Sequence, residues 1–185
     1  SNLDAKGEPL TVQRLSTYLT RISGYRRTIC RLESIHDYLS RLLNAAVDPL
    51  ILRAEAAKDN LVQILNEAIG RLHQNDFETL VDIIFARSGW HRISGLGGTQ
   101  EFIDMALEQP VTGERAAVQV KSHADQAALD EYIEKFSQAG SYNKLFFVKH
   151  SGPPVRTDRS DIHVWKGLAL AKMVEKLGLT DWVLT

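Results

Sequence analysis

The 185-residue chain is 44% hydrophobic and 24% charged, enough to bury one ordinary core with room for an appendage. Its formal charge of -1 excludes a global field that would draw in nucleic acid, so any such contact must come from a local basic cluster. A single cysteine, Cys30, excludes an intramolecular disulfide framework and a multi-cysteine metal site, which suits the reducing cytoplasm.

No run approaches the ~20 apolar residues that cross a bilayer, and no basic-then-apolar signal segment is present. The opening Ser1-Asn2 has the look of a cloning remnant, so the chain is expected to be part of something longer.

From about residue 11 to 72 the chain shows no strand pattern. Leu15, Tyr18, Leu19 and Ile22 recur at helical spacing, Gly24 interrupts them, and Ile29, Leu32, Ile35, Leu39 and Leu42 resume. Asp48-Pro49 marks a new helix with proline in its first turn. Residues 1–72 are therefore expected to form a helical N-terminal arm of two or three helices, and residues 73–185 a separate domain.

In that domain a helix over roughly Asp76 to Arg87 carries Phe77, Leu80, Val81 and Ile84 on one face and stops at Ser88-Gly89. Phe102 to Leu107 and Ala116 to Lys121 both alternate, with a turn at Pro110 to Gly113, and predict an antiparallel hairpin. A helix with Leu129, Tyr132, Ile133 and Phe136 in register follows. After it come strands at Leu145 to Val148 and Ile162 to Trp165, and a helix from about Leu168 to Leu177. The pattern predicts an α/β sandwich: a mixed sheet of about five strands with helices on both faces.

Chemistry concentrates on the hairpin. Alternate strand side chains share a face about 6.5 to 7 Å apart, so Gln119 and Lys121 point the same way while Val118 and Val120 face the other layer. Asp104 lies between Ile103 and Met105, and a hairpin register could set it beside Gln119. A carboxylate, an amide oxygen and an ammonium would then converge, with the Val120 main-chain carbonyl beside them. Such a set suits phosphodiester hydrolysis. Hard Mg²⁺, with Mn²⁺ as substitute, takes oxygen ligands and polarises a phosphoryl group, while a lysine stabilises the developing charge.

Competing readings stand beside this one. Asp104 alone could be a solvent-facing residue, and Gln119 with Lys121 could be the wet face of an edge strand. Asn75 and Glu78 have capping-box spacing, which accounts for Glu78 without catalysis. Gly95 to Gly98 leads toward a strand rather than a helix, as a flexible loop would. Arg21, Arg26, Arg27 and Arg31, or Lys144, Lys149, Arg156 and Arg159, could grip phosphates, or simply be solvated. Among the histidines only His123 falls near Lys121.

Phe77-Glu78, Gly89-Trp90, Gly97-Gly98 through Ile103-Asp104, Val118-Gln119-Val120-Lys121 and Val164-Trp165-Lys166-Gly167 follow one another in an order that resembles the PD-(D/E)xK nuclease superfamily, and within it the Mrr-like restriction endonucleases. The resemblance spans roughly Leu72 to Leu177 and implies a restriction-endonuclease-like fold. It also implies that Asp104 and Gln119 bind Mg²⁺ with the Val120 carbonyl, that Lys121 is catalytic and that Glu78 assists. The segment before Asp104 departs from the family's frequent Asp-Gly-Gly and carries Glu101.

The expected activity is a metal-dependent endonuclease hydrolysing DNA phosphodiester bonds in a restriction or defence system, with RNA left open. Target choice is expected from an additional specificity domain, a partner protein or a homodimer. The alternative is a catalytically degenerate nuclease-fold module that binds nucleic acid or a protein without cleaving.

Overall fold

A computed structural model of the chain describes residues 3–4, 7–22, 33–44, 46–93 and 103–185. Arg26, Arg27, Cys30, Arg31, the Gly95–Gly98 loop, Glu101 and Phe102 lie outside the described residues.

The chain divides into two compact units, Ser1–Lys58 and Asp59–Thr185. The first holds helices α1 (Thr17–Ile22) and α2 (Glu33–Leu43) and the start of α3 (Pro49–Ile69). Within it Ile35 is buried, the Ser16 amide donates to the Tyr38 hydroxyl at 3.0 Å, and Arg41 pairs with Asp48 at 3.0 Å. Pro49 opens α3 as expected, where its missing N–H costs nothing, and the Asp48 carboxylate accepts from the Leu50 amide at 2.8 Å.

The second unit is built on α4 (Gln74–Arg87), β1 (His91–Arg92), β2 (Met105–Gln109), β3 (Glu114–His123), α5 (Gln126–Ala139), β4 (Lys144–Ser151), β5 (Ile162–Lys166), α6 (Gly167–Lys176) and α7 (Thr180–Leu184). The strands form one mixed sheet in the order β1-β2-β3-β4-β5. The β1–β2 and β2–β3 pairs are antiparallel, and the β3–β4 and β4–β5 pairs are parallel.

Alternation along the strands divides the core between the faces. Val118, Val120, Phe146 and Val148 pack with Val62, Leu65 and Ile69 of α3, with the apolar side of α4 and with Leu170 and Val174 of α6. Ala117, Leu145, Phe147 and Ile162 pack on the other face against Leu129 and Phe136 of α5. This is the mixed five-strand α/β sandwich that the sequence pattern predicts.

Local signals fix the element ends. The Asp125 carboxylate accepts from the Ala128 amide at 3.0 Å and starts α5, while Gly140 stops it in the left-handed region at φ 61°. The hairpin turns at Gly113, φ 70°, whose amide donates to the Gln109 carbonyl at 2.8 Å.

Several expectations need correction. β2 begins at Met105 and runs on to Gln109 rather than ending at Leu107, so Asp104 stands just ahead of the strand. β3 is longer than Ala116 to Lys121, and the short β1 and α7 were not foreseen.

Candidate active site

The β2–β3 register ends with Met105 paired to Val118, and just beyond it the Asp104 amide donates to the Val118 carbonyl at 2.9 Å. Because residues two apart on a strand direct their main-chain groups the same way, the amide and carbonyl of Val120 also face β2. A carbonyl would meet that amide in an unbroken ladder. Here the Asp104 carboxylate does: its Oδ2 accepts from the Val120 amide at 2.7 Å and from Gln119 Nε2 at 2.7 Å. Gln119 Nε2 also lies 3.4 Å from the Val120 carbonyl oxygen.

The edge-strand reading of Gln119 fails on position and burial. β3 is the middle strand, and Gln119 is only 3% exposed. A buried amide must be hydrogen-bonded to offset its desolvation, and Asp104 satisfies it.

Burial of the carboxyl raises the Asp104 pKa above its ordinary value, and the charge of Glu78 adds to that. The Val120 amide, the Lys121 ammonium and the Gln119 amide oppose the rise without cancelling it. Glu78 and Lys121 thus both act electrostatically on the carboxylate that Gln119 and Val120 hold.

Glu78 comes from the second turn of α4, where its Oε1 accepts from Gln74 Nε2 at 3.0 Å. The capping-box reading is overturned. The N-cap is His73, whose Nδ1 accepts from the Asn75 amide at 3.4 Å, and Asn75 already lies inside the helix. Asn75, Glu78, Thr79 and Asp82 form a polar stripe at helical spacing along one side of a cleft of about 280 Å³, with Arg92, Asp104 and Met105 across from it.

Arg92 donates to the Asp104 main-chain carbonyl at 3.2 Å and lies 3.9 Å from Asp82. Sequence reasoning missed both. Asp82 carried a usable signal, four residues beyond Glu78 on a polar stripe, whereas nothing marked Arg92 in a strand of two residues.

Lys121 lies on the α5 side of β3, its Nζ over the Tyr132 ring at 5.4 Å from the centroid. His123 ends β3, exposed, with Nδ1 3.3 Å from Ser151 Oγ.

Of the late basic residues, Lys149 is withdrawn from any phosphate contact by burial. Lys149 is only 1% exposed, and its ammonium donates to the Ala124 and Pro153 carbonyls at 2.6 and 2.5 Å. Lys144 pairs with Glu114 and Arg159 with Asp161, and Arg156 and Arg159 are both exposed.

Among the described residues no three His, Cys, Asp or Glu side chains cluster as a metal site. The oxygen-bearing groups that Gln119 Nε2 links are the Asp104 carboxylate and the Val120 carbonyl, with Glu78 acting on the same carboxylate. This set is hard, carries little negative charge and fits a Mg²⁺ ion that keeps water and phosphate in its shell.

Residues 69–152 match the family model of the Mrr catalytic domain, described as restriction endonuclease. The matched stretch takes in Glu78, Asp104, Gln119 and Lys121 and stops before β5. No curated protein and no solved structure gives a match.

Proposed function

From the restriction-endonuclease domain of the Mrr kind at residues 69–152, we infer that this nuclease-type chain is a Mg²⁺-dependent endonuclease hydrolysing DNA phosphodiester bonds, with Mn²⁺ able to substitute. The observation that carries the reading is the Asp104 carboxylate held at 2.7 Å by both the Gln119 amide and the Val120 N–H, one residue before Lys121. The Asp104 carboxylate is partly desolvated where it stands, and among the described residues hydrogen bonds reach only its Oδ2.

Asp104, Gln119 and the Val120 carbonyl would hold the ion, which when bound polarises the phosphoryl group and acidifies a water. Gln119 positions Asp104 in the free state and offers its amide oxygen once the side chain turns. Lys121 supplies an ammonium to the charge that develops on the phosphoryl oxygens. Glu78 faces the same carboxylate from α4 and supports the site from the cleft.

This core has little room for base-specific readout, so target choice belongs to another domain, a partner protein or a homodimer. A cytoplasmic restriction or defence role follows from the same reading.

The test is incubation of the full chain with end-labelled duplex DNA, single-stranded DNA and RNA in Mg²⁺ or Mn²⁺, with chelator controls. The reading expects metal-dependent cutting of DNA. Cutting of RNA alone would move the substrate class. A folded protein that binds nucleic acid but cuts none of the three would establish the degenerate binding module instead.

A further inference from the structure

We propose that Tyr132 is the positioning residue for Lys121, its ring holding the ammonium where the reaction needs it. This rests on the reading of Lys121 as the catalytic lysine. Lys121 leaves β3 on a four-carbon stem with several freely rotating bonds, and a lysine unrestrained at a sheet end spends its time in many rotamers. Its Nζ lies 5.4 Å from the Tyr132 ring centroid, within the roughly 6 Å over which the negative face of an aromatic ring attracts a cation.

The ring is itself fixed. Tyr132 sits in the second turn of α5, half-buried, with Phe147 of β4 5.8 Å away centroid to centroid. A second ammonium, that of Lys135, lies 5.3 Å from the same ring. It is engaged by Glu131 one turn back, and the Glu131 carboxylate also feels the charge of Lys121.

A purely apolar role for Tyr132 would require only its contact with Phe147. The approach of Lys121, with Glu131 countering the positive charges beside it, is what a holding role adds. The phenol oxygen is not needed for it, so phenylalanine should serve and an aliphatic side chain should not.

The experiment compares wild type, Tyr132→Phe and Tyr132→Leu in full-length protein. In cleavage kinetics with Mg²⁺, Tyr132→Leu should lower kcat about three- to tenfold, the range a single cation–π contact supplies, with KM little changed, and Tyr132→Phe should restore kcat.

Without metal or DNA, the NMR signals of the Lys121 ε-methylene, assigned by their loss in Lys121→Arg, should be shifted upfield by the ring in wild type and Tyr132→Phe. They should return to the free-lysine position in Tyr132→Leu. Unchanged kcat in a folded Tyr132→Leu, or a Lys121 signal unshifted in wild type, overturns the proposal. If wild type cuts nothing, the nuclease reading falls, whereas the shifted signal still supports the ring as the holder of Lys121. Should Tyr132→Leu fail to fold, the wild-type and Tyr132→Phe spectra decide.

Discussion

Replacing Gln119 by glutamate tests the hydrogen bond on which the site is built. The amide nitrogen that donates to Asp104 Oδ2 at 2.7 Å becomes a carboxylate oxygen, in a side chain only 3% exposed. Two charges about 4 Å apart repel by roughly 4 kcal/mol at an effective dielectric constant near 20. The alternative is for the pair to keep one proton. Holding it at about pH 7.5 on a group of ordinary pKa near 4.3 also costs roughly 4 kcal/mol, so both routes converge.

For a domain of this size that is a fall in Tm of about 8 to 16 °C, measured by thermal unfolding in chelator. The folded pair binds a proton more tightly than the unfolded chain, so stability rises as the pH falls. Near pH 5 the deficit should shrink to about 1 kcal/mol. Mg²⁺ should restore more Tm in the variant than in wild type, because the added carboxylate is a better ligand. A Gln119→Glu protein that melts within about 3 °C of wild type in chelator at pH 7.5 would refute the reasoning.

Other outcomes follow from the same geometry. The Asp104 carboxyl is raised above its ordinary value chiefly by desolvation, so its ionised form weakens the fold at alkaline pH and wild type gains stability as the pH falls through that raised pKa toward the ordinary carboxylate value. Asp104→Asn keeps an acceptor for Gln119 and Val120 without the charge, and should melt at or above wild type in chelator at pH 8, with the gap closing on acidification. It should lose any stabilisation by Mg²⁺. A clearly lower Tm at pH 8 would show that the charge is favourable where it lies. At the far loops, Gly152→Ala would set a Cβ 2.3 Å from the Ala124 carbonyl at φ +101° and should cost roughly 3 kcal/mol or more. Lys149→Met removes the ammonium that the Ala124 and Pro153 carbonyls share and should cost about 2 to 4 kcal/mol. Since both changes act on the Ala124 carbonyl, denaturant unfolding of the double variant should show less than additive loss.

The meeting of Asp104 with Gln119 was legible because a two-residue period fixes which side chains share a face, and the antiparallel register then follows from the short turn at Pro110 to Gly113. α4 and α5 were legible from apolar spacing. What escaped depends on tertiary partners. β1 exists only because His91 and Arg92 pair with Glu108 and Leu107, and no strand pattern fits in two residues.

Asp104 was expected within the strand, but its side chain substitutes for a ladder carbonyl and ends the pairing there. The N-cap fell on His73 rather than Asn75 because an imidazole nitrogen can accept as a carboxylate does, a role that residue preference alone ranks low. Lys149 reads as a surface lysine between Val148 and His150. Only the loops that close over it, bringing the Ala124 and Pro153 carbonyls to its ammonium, make it a buried one.

The most direct test of the central claim is cleavage of supercoiled plasmid by wild type and Lys121→Ala at equal folded concentration, in Mg²⁺ or Mn²⁺ and in chelator. The account predicts cutting by wild type that vanishes in chelator and falls by about a hundredfold or more in Lys121→Ala, while DNA binding and Tm stay near wild type. Cutting that persists in chelator, or a Lys121→Ala protein as active as wild type, would contradict it.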